Sequence, residues 1–453
     1  MSATPVTKRP ERGEELDLRV ESLAYGGAGV ARLEGYVVFV SGGMPGDRVR
    51  AVVTKRKRGY AEARVVEVTE PSPERIEPLA PGHPGASWQV LPYETQLRIK
   101  AEQVEDALRR IGKLDGFEME PIIPAVDPWR YRNKLEYSFG TSPEGELICG
   151  FHKPGSWEDI VHVEDDLLAS EAVNAARRDV LEWCRAQGLS AYDRRSQDGF
   201  LRNLVIREGR RTGDLQVRLV TSEGSFDDDA FADSVHAAGT FWTRMQDVGE
   251  TTAGGETDQL GGAPQMREEL AELEYKISPQ AFFQTNTEMA EKLYAVAVEY
   301  AGLKGFERVY DLYCGMGTIG LTLAPRAGEV FGLEVIEPAV SDAIANAKRN
   351  GITNAKFFAG DVRLAMRDLV EEAGKPDVIV LDPPRAGLSP KIVRRVIEAA
   401  PRRIVYVSCN PTTLAPNAAQ LTEAGYVLKK VRPVDMFPQT HHIECVAVLD
   451  RVD

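Results

Sequence analysis

Ile404-Val405-Tyr406-Val407-Ser408-Cys409-Asn410-Pro411 decides how this chain is read. A run of β-branched and aromatic residues is the mark of a short buried strand. Asn410-Pro411 ends it, because the residue before a proline is pushed into extended or turning backbone. Cys409 therefore falls at the carboxyl end of a strand expected to be parallel, the edge at which open α/β sheets keep their chemistry. A thiol there is a nucleophile if its pKa is lowered, and an inert apolar side chain if it is not.

Toward the N-terminus the same alternation recurs. Helices are expected at 289–300, 319–324, 339–350 and 391–400, and strands at 309–310, 330–333, 357–358, 378–381 and 404–407. Strands separated by helices at this interval imply a doubly wound, Rossmann-like α/β domain. The 453 residues exceed one ordinary domain. Residues 15–68 hold short alternating runs broken by Gly26-Gly27, Gly42-Gly43 and Pro45-Gly46-Asp47, which predicts a small N-terminal β-barrel. Residues 71–92 are rich in Pro and Gly and read as a linker, and 93–111 have helical spacing (Leu97, Val104, Leu108, Ile111). A central α+β region mixes strands and helices over about 121–219, and the acidic, Gly-rich 223–265 reads as loops with a short strand near Thr240-Phe241-Trp242. The expected units are a barrel at 10–70, a central region at 93–275 and a catalytic domain at 276–453.

The net charge of −14 argues against nucleic-acid binding by the whole surface, but not by a local face. Between Asp47 and Arg64, Arg48, Arg50, Lys55, Arg56, Lys57, Arg58 and Arg64 outnumber Asp47 and Glu62, as a face that tracks a phosphate backbone would require. Arg132 and Lys134, beside a predicted strand, are further candidate RNA contacts. No apolar run approaches membrane-span length and the N-terminus shows no apolar signal core, so a cytoplasmic protein is expected, without a membrane or an evident protein partner. The polar first dozen residues are expected to be disordered. The 5 cysteines, Cys149, Cys184, Cys314, Cys409 and Cys445, form no CxxC pair, which disfavours zinc and disulfide frameworks.

Further sites end the other strands. Asp311-Leu312-Tyr313-Cys314-Gly315-Met316-Gly317-Thr318-Ile319-Gly320 contains GxGxxG, and Glu334 closes the next strand, where it can bind ribose hydroxyls. A dinucleotide suits that pattern. Asp311 would repel a diphosphate and could hold the ammonium of S-adenosylmethionine, which favours the latter cofactor. Asp361 could reach its adenine, and Asp382-Pro383-Pro384-Arg385-Ala386-Gly387 sets a carboxylate in a stiff loop at the next strand end. His441 and His442 suggest a metal, but neighbours on a strand point to opposite faces and no third ligand is evident. Glu444 enters an apolar strand, where burial would raise its pKa toward that of a useful base.

Ser22-Leu23-Ala24-Tyr25-Gly26-Gly27-Ala28-Gly29-Val30-Ala31-Arg32 and Pro45-Gly46-Asp47-Arg48-Val49 resemble a TRAM domain, a small RNA-binding barrel. Asp-Leu-Tyr-Cys-Gly-Met-Gly from Asp311, Asp-Pro-Pro-Arg-Ala-Gly from Asp382, Ser-Cys-Asn-Pro from Ser408 and His442-Ile443-Glu444 resemble, in this order, the RNA uridine-5-methyltransferases. The resemblance spans nearly the whole chain. It implies S-adenosylmethionine as cofactor and uridine in tRNA or ribosomal RNA as substrate. It further implies Cys409 as the nucleophile at carbon 6 of uracil and Glu444 as the base that removes the carbon-5 proton. Ser278-Pro279-Gln280-Ala281-Phe282-Phe283-Gln284 resembles a family segment, which implies Gln284 at the cofactor and Phe282 near the target base. With the residues read above, the expected cofactor set is Gln284, Tyr313, Gly315, Glu334, Asp361 and Asp382, with Phe282 and Arg132 toward the substrate. Methylation of another RNA base, or RNA binding without catalysis, stand as alternatives. One departure is visible. Many members of the family carry a four-cysteine iron–sulfur site; the matching stretch from Ala80 to Trp88 has no Cys, and Asp166 stands where a later Cys is expected, so no cluster is predicted.

Overall fold

The computed structural model describes residues 9–452 apart from 157, 247, 248, 250, 251 and 253, so most of the dozen residues expected to be disordered lie outside it. Glu15–Leu23, Gly29–Leu33, Tyr36–Ser41, Arg48–Arg56 and Tyr60–Glu70 close into a five-stranded barrel. Period-two patterning builds it: Leu16, Leu18 and Val20 point inward while Asp17, Arg19 and Glu21 face water. The basic hairpin is partly neutralised across strands. Arg50 pairs with Glu15 and Glu67, Arg48 with Glu70, and Lys55 with Glu62. Counting charges from Asp47 to Arg64 included Glu62 but missed Glu15, Glu67 and Glu70. Arg56, Lys57 and Arg58 at the tip stay exposed, with no ion-pair partner among the described residues.

Residues 71–92 lack regular structure, yet they are not a free linker. Trp88 is fully buried, its backbone N–H donates to Gln439 O at 2.9 Å, and Gln89 closes a loop onto Ala80. His83 Nε2 lies 2.9 Å from Asp166 Oδ1, both side chains buried, and Tyr137 Oη donates to Asp166 Oδ2 at 3.0 Å. The two places marked by missing cysteines thus meet in a hydrogen-bonded pair.

The helix Tyr93–Asp106, ending in the wider turn Ala107–Ile111, packs on the catalytic sheet, as Val104 and Leu108 share a core with Tyr406 and Ala447. The hairpin Met266–Leu270 and Leu273–Ile277 joins the core on the opposite face, with Met289 and Val309. A seven-stranded central sheet carries helix Glu171–Ala186 on its apolar face. Much of the expected acidic loop region is regular: helix Asp228–Ser234 and strands Gly239–Arg244 and Glu256–Gly262 extend this sheet. The strand at Thr240-Phe241-Trp242 is the one expected; the helix was not, because the charged residues around it hid the buried Phe231.

The catalytic sheet runs Ala355–Ala359, Glu329–Glu334, Arg308–Leu312, Val378–Leu381, Arg403–Ser408, Glu444–Arg451, Tyr426–Val434 and Glu118–Met119. The first five are mutually parallel, as expected. Glu444–Arg451 enters antiparallel between Arg403–Ser408 and Tyr426–Val434. Strand order reverses between Arg308–Leu312 and Val378–Leu381, which opens a crevice at their carboxyl ends.

One buried ion pair ties the helix at residue 93 to the loop before Glu444. Lys100 Nζ sits 2.6 Å from Asp435 Oδ1, both side chains fully buried, and also donates to Phe437 O at 3.0 Å. Burial pushes the Lys100 amine below its ordinary pKa, against the attraction of Asp435. Replacing one partner strands the other charge in the core, so Lys100→Met is expected to cost about 3–5 kcal/mol. Lys100→Met combined with Asp435→Leu should recover part of that loss; urea denaturation of the three proteins measures both changes.

Candidate active site

Cys409 is the gap between a strand and a helix. Arg403–Ser408 ends one residue before it, and Asn410 caps the helix Pro411–Glu423 by accepting the Thr412 N–H at 3.0 Å, with Pro411 in the first turn. Asn410 Nδ2 also donates to Arg385 O at 2.9 Å, tying the Asp382 loop to the cysteine. The other described cysteines are buried; Cys409 alone is partly exposed.

The antiparallel strand brings in the acid. Ser408 pairs with Cys445 and Val407 with Val446. Continuing that register sets Cys409 opposite Glu444, a spacing at which cross-strand side chains meet. Burial, reinforced by the nearby Asp382 charge, raises the Glu444 pKa well above the carboxylate range, while Arg385 acts in the opposite sense. Burial pushes the Cys409 thiol up to about 12, helped by Glu444 and Asp382 and opposed by Arg385. This differs from a thiol activated by a lowered pKa: in the free enzyme it is held as the thiol by its buried and negative surroundings.

Cys409 alkylation by iodoacetamide should therefore rise about tenfold per pH unit from pH 7 to 10, because only the thiolate reacts. Arg385→Ala removes the opposing positive charge, raises the thiol pKa further and should slow alkylation at pH 8 about threefold to tenfold. Glu444→Gln should quicken it at the alkaline end of that range, where Glu444 is ionised and its charge opposes the thiolate. A rate that levels off below pH 8 would contradict the electrostatic assignment.

His441 and His442 lie in the loop before the strand, not on it, and their ring centroids are only 4.1 Å apart. Burial and nearby cations lower the His442 pKa to about 3, and its neutral Nδ1 accepts from the Arg385 guanidinium at 3.1 Å. The described residues contain no cluster of three metal-ligating side chains.

A second cradle lies along the same edge. Gly315 (φ 52°) and Gly317 (φ 85°) take left-handed backbone after Arg308–Leu312, as does Tyr313 (φ 67°), an unusual strain for a tyrosine. Asp311 is buried, its Oδ2 accepts the Gly320 N–H at 2.8 Å, and its Oδ1 has no partner. Burial pushes its pKa up to about 7. An orphaned buried carboxylate oxygen suits a ligand ammonium. Glu334 accepts the Gly315 N–H at 3.2 Å and the Ile336 N–H at 3.0 Å. Beside it Val335 and Ile336 stay 63% and 57% exposed, apolar surface that suits a planar base. The residues fit an aminoacyl-nucleoside.

The remaining candidates are placed unevenly. Asp382, at the end of Val378–Leu381, has its pKa pushed up to about 7 by burial. Asp361 caps the helix Val362–Ala373, and Arg363 grips both its oxygens, a contact it must release to reach a ligand. Phe282 is 67% exposed, so core packing does not explain it. Gln284 is buried, its carbonyl accepting from Asn133 Nδ2 at 2.8 Å. Arg132 lies over the Tyr131 ring, 5.9 Å from its centroid, and its buried Nε has no partner. Sequence reading assigned no role to Arg385, Tyr25, Gln96, Lys100, Asp435 or Gln439. Arg385 and Tyr25 at least stood in quoted stretches. Gln96 bonds Gln439 across 343 positions, a distance no local pattern betrays.

Residues 265–452 match the family model of tRNA (uracil-5-)methyltransferases, and residues 9–66 that of the TRAM domain. An uncharacterized RNA methyltransferase of Halalkalibacterium halodurans is 38% identical over 97% of both chains. The chain belongs to the RNA (uracil-5-)methyltransferase family. It is an RNA methyltransferase with an N-terminal TRAM barrel. An uncharacterized RNA methyltransferase of Caldanaerobacter subterraneus is 37% identical over 97% of this chain and 99% of its own. The tRNA (uracil-54, C5)-methyltransferase of Pyrococcus abyssi, solved in complex with S-adenosyl-L-homocysteine, superimposes with a TM-score of 0.79 at 28% identity, covering 96% of this chain and 99% of that one. Among the described residues of this methyltransferase no helix is long and apolar enough to cross a membrane.

Proposed function

We propose that this methyltransferase makes 5-methyluridine in tRNA or ribosomal RNA, through a covalent bond between Cys409 and carbon 6 of the target uracil. The reading rests on one observation above all: strand register sets Cys409 opposite Glu444, beside the glycine cradle at the same sheet edge. S-adenosylmethionine is the methyl donor, in line with the S-adenosyl-L-homocysteine of the Pyrococcus abyssi enzyme. Asp311, Tyr313, Gly315, Glu334, Asp382 and Gln284 would hold it, with Asp361 reaching it once freed from Arg363. When bound, it supplies an electrophilic methyl group.

Carbon 5 of uracil is a weak nucleophile. Addition of the Cys409 sulfur to carbon 6 pushes an electron pair toward the carbonyl at carbon 4 and makes carbon 5 reactive. After methylation carbon 5 carries both the methyl and its original proton. Glu444, as a carboxylate, removes that proton, and the electron pair expels Cys409 and restores the ring. Arg385 steadies the negative charge that develops around the two groups. Both Cys409 and Glu444 are needed deprotonated and both are held protonated by burial, so turnover rises with pH across the neutral range. The base must leave the RNA stack to reach the thiol, and the exposed Phe282 offers a surface against which it stacks. Arg132 and the hairpin tip at Arg56, Lys57 and Arg58 contact phosphates. The cytoplasm is the proposed place of work.

Mass spectrometry of total RNA from cells with and without the gene tests this reading. A 5-methyluridine that disappears with the gene supports it and names the position. If every 5-methyluridine persists and the purified enzyme makes none, the reading gives way to methylation of another base or to RNA binding alone.

A further inference from the structure

The barrel reaches into the site. Its turn at Tyr25-Gly26-Gly27 joins the strands Glu15–Leu23 and Gly29–Leu33, and the Tyr25 hydroxyl donates to the backbone carbonyl of Cys409 at 3.0 Å. The partners are 384 positions apart. No other donor to that carbonyl is found among the described residues. The Tyr25 ring packs, half-buried, on the core that includes Tyr406 and Cys445. Burial and the neighbouring Cys409 push its phenol up to about 12, so it stays a donor through the working pH range.

Two more contacts fix this turn. Gln103 Nε2, on the catalytic body, donates to Leu23 O at 3.0 Å. Gly27 lies against His441: a Cβ added there would sit 3.0 Å from the His441 Cβ and Cγ, and its φ of +86° suits glycine. The close approach of the barrel to the loop that leads into Glu444 therefore depends on a residue without a side chain.

We propose that Tyr25 is a positioning residue for the catalytic cysteine, so that the barrel is part of the catalytic centre as well as an RNA-binding module. Cys409 lies between a strand end and a helix cap, and among the described residues its carbonyl is the one backbone group of that gap held from outside the catalytic body. Fixing the carbonyl fixes the direction of the Cα–Cβ bond and hence of the thiol. A small misplacement of a reacting atom costs a large part of the rate. The barrel thereby links RNA capture to the geometry of attack. The inference deepens the uridine-methylating reading and rests on it.

Tyr25→Phe removes the donor and keeps the ring. It is expected to lower the single-turnover methyl-transfer rate about tenfold, as loss of one positioning hydrogen bond would. RNA affinity at fixed salt should stay within about twofold of wild type. Gly27→Ala should give the same split between rate and affinity, because it pushes the turn away from His441. Without RNA, Tyr25→Phe should quicken Cys409 alkylation at pH 9 at least about threefold, since the released loop exposes the thiol. Unchanged alkylation, or a defect confined to RNA affinity, overturns the inference. If the wild type forms no 5-methyluridine while Tyr25→Phe still alters alkylation, the proposed reaction fails and the positioning contact stands.

Discussion

Cys409→Ala should abolish methylation, with a loss of about 10⁴-fold or more, while RNA affinity stays within a few fold of wild type. The size follows from the chemistry. Without addition to carbon 6 there is no electron-rich carbon 5, and no neighbouring group can take over: the other described cysteines are buried, and Cys445 is held fully protonated by its burial. RNA should still bind, because the thiol is one partly exposed group among many contacts. Radioactive methyl transfer to RNA together with filter binding reads both quantities. Residual methylation near the wild-type rate would show that no covalent adduct is needed.

Glu444→Gln should give a different failure. Gln fills the same buried space without a basic oxygen, so Cys409 can still add and the methyl can still be transferred, but the carbon-5 proton stays and the enzyme remains attached. Turnover should fall about 10²- to 10⁴-fold, and a methylated RNA–protein adduct that survives denaturing electrophoresis should accumulate. Adding Cys409→Ala to the same chain should remove that adduct. Glu444→Gln turning over normally without an adduct would move the base to another residue; Asp382, whose pKa burial pushes up to about 7, would then be the nearest candidate.

These two variants also separate what local sequence shows from what folding adds. Alternating apolar runs and helical spacings from 289 to 407 placed the parallel strands within a residue or two, because periodicity is a property of neighbours in the chain. Asp311, Glu334, Asp382 and Cys409 could be set at strand ends by the same logic, and Pro383 after Asp382 and Asn410-Pro411 after Cys409 mark two of those ends directly. The reading of 71–92 as a linker failed for an equally plain reason. Pro and Gly announce irregular backbone, but not whether it is packed, and Trp88 is buried all the same. In the acidic stretch the apolar run Thr240-Phe241-Trp242 did mark its strand, but surface charge outweighed the buried Phe231 that holds the helix Asp228–Ser234, and the strand Glu256–Gly262 carries no apolar run to announce it. The two histidines were assigned to a strand that begins only at Glu444.

The sequence by itself determined the doubly wound α/β class, the barrel in front of it, and the strand-end positions of the Cys409 thiol and of the carboxylates Asp311, Glu334 and Asp382. Only the tertiary structure decided that Glu444 stands opposite Cys409, that Tyr25 holds the cysteine's carbonyl, and that Lys100 and Asp435 lock the loop between them. Each of these depends on strand register or on burial between segments far apart in the chain. Such pairings are chosen by which arrangement buries the most apolar surface while leaving the fewest polar groups unmatched, a comparison made over the whole molecule and not within any one stretch.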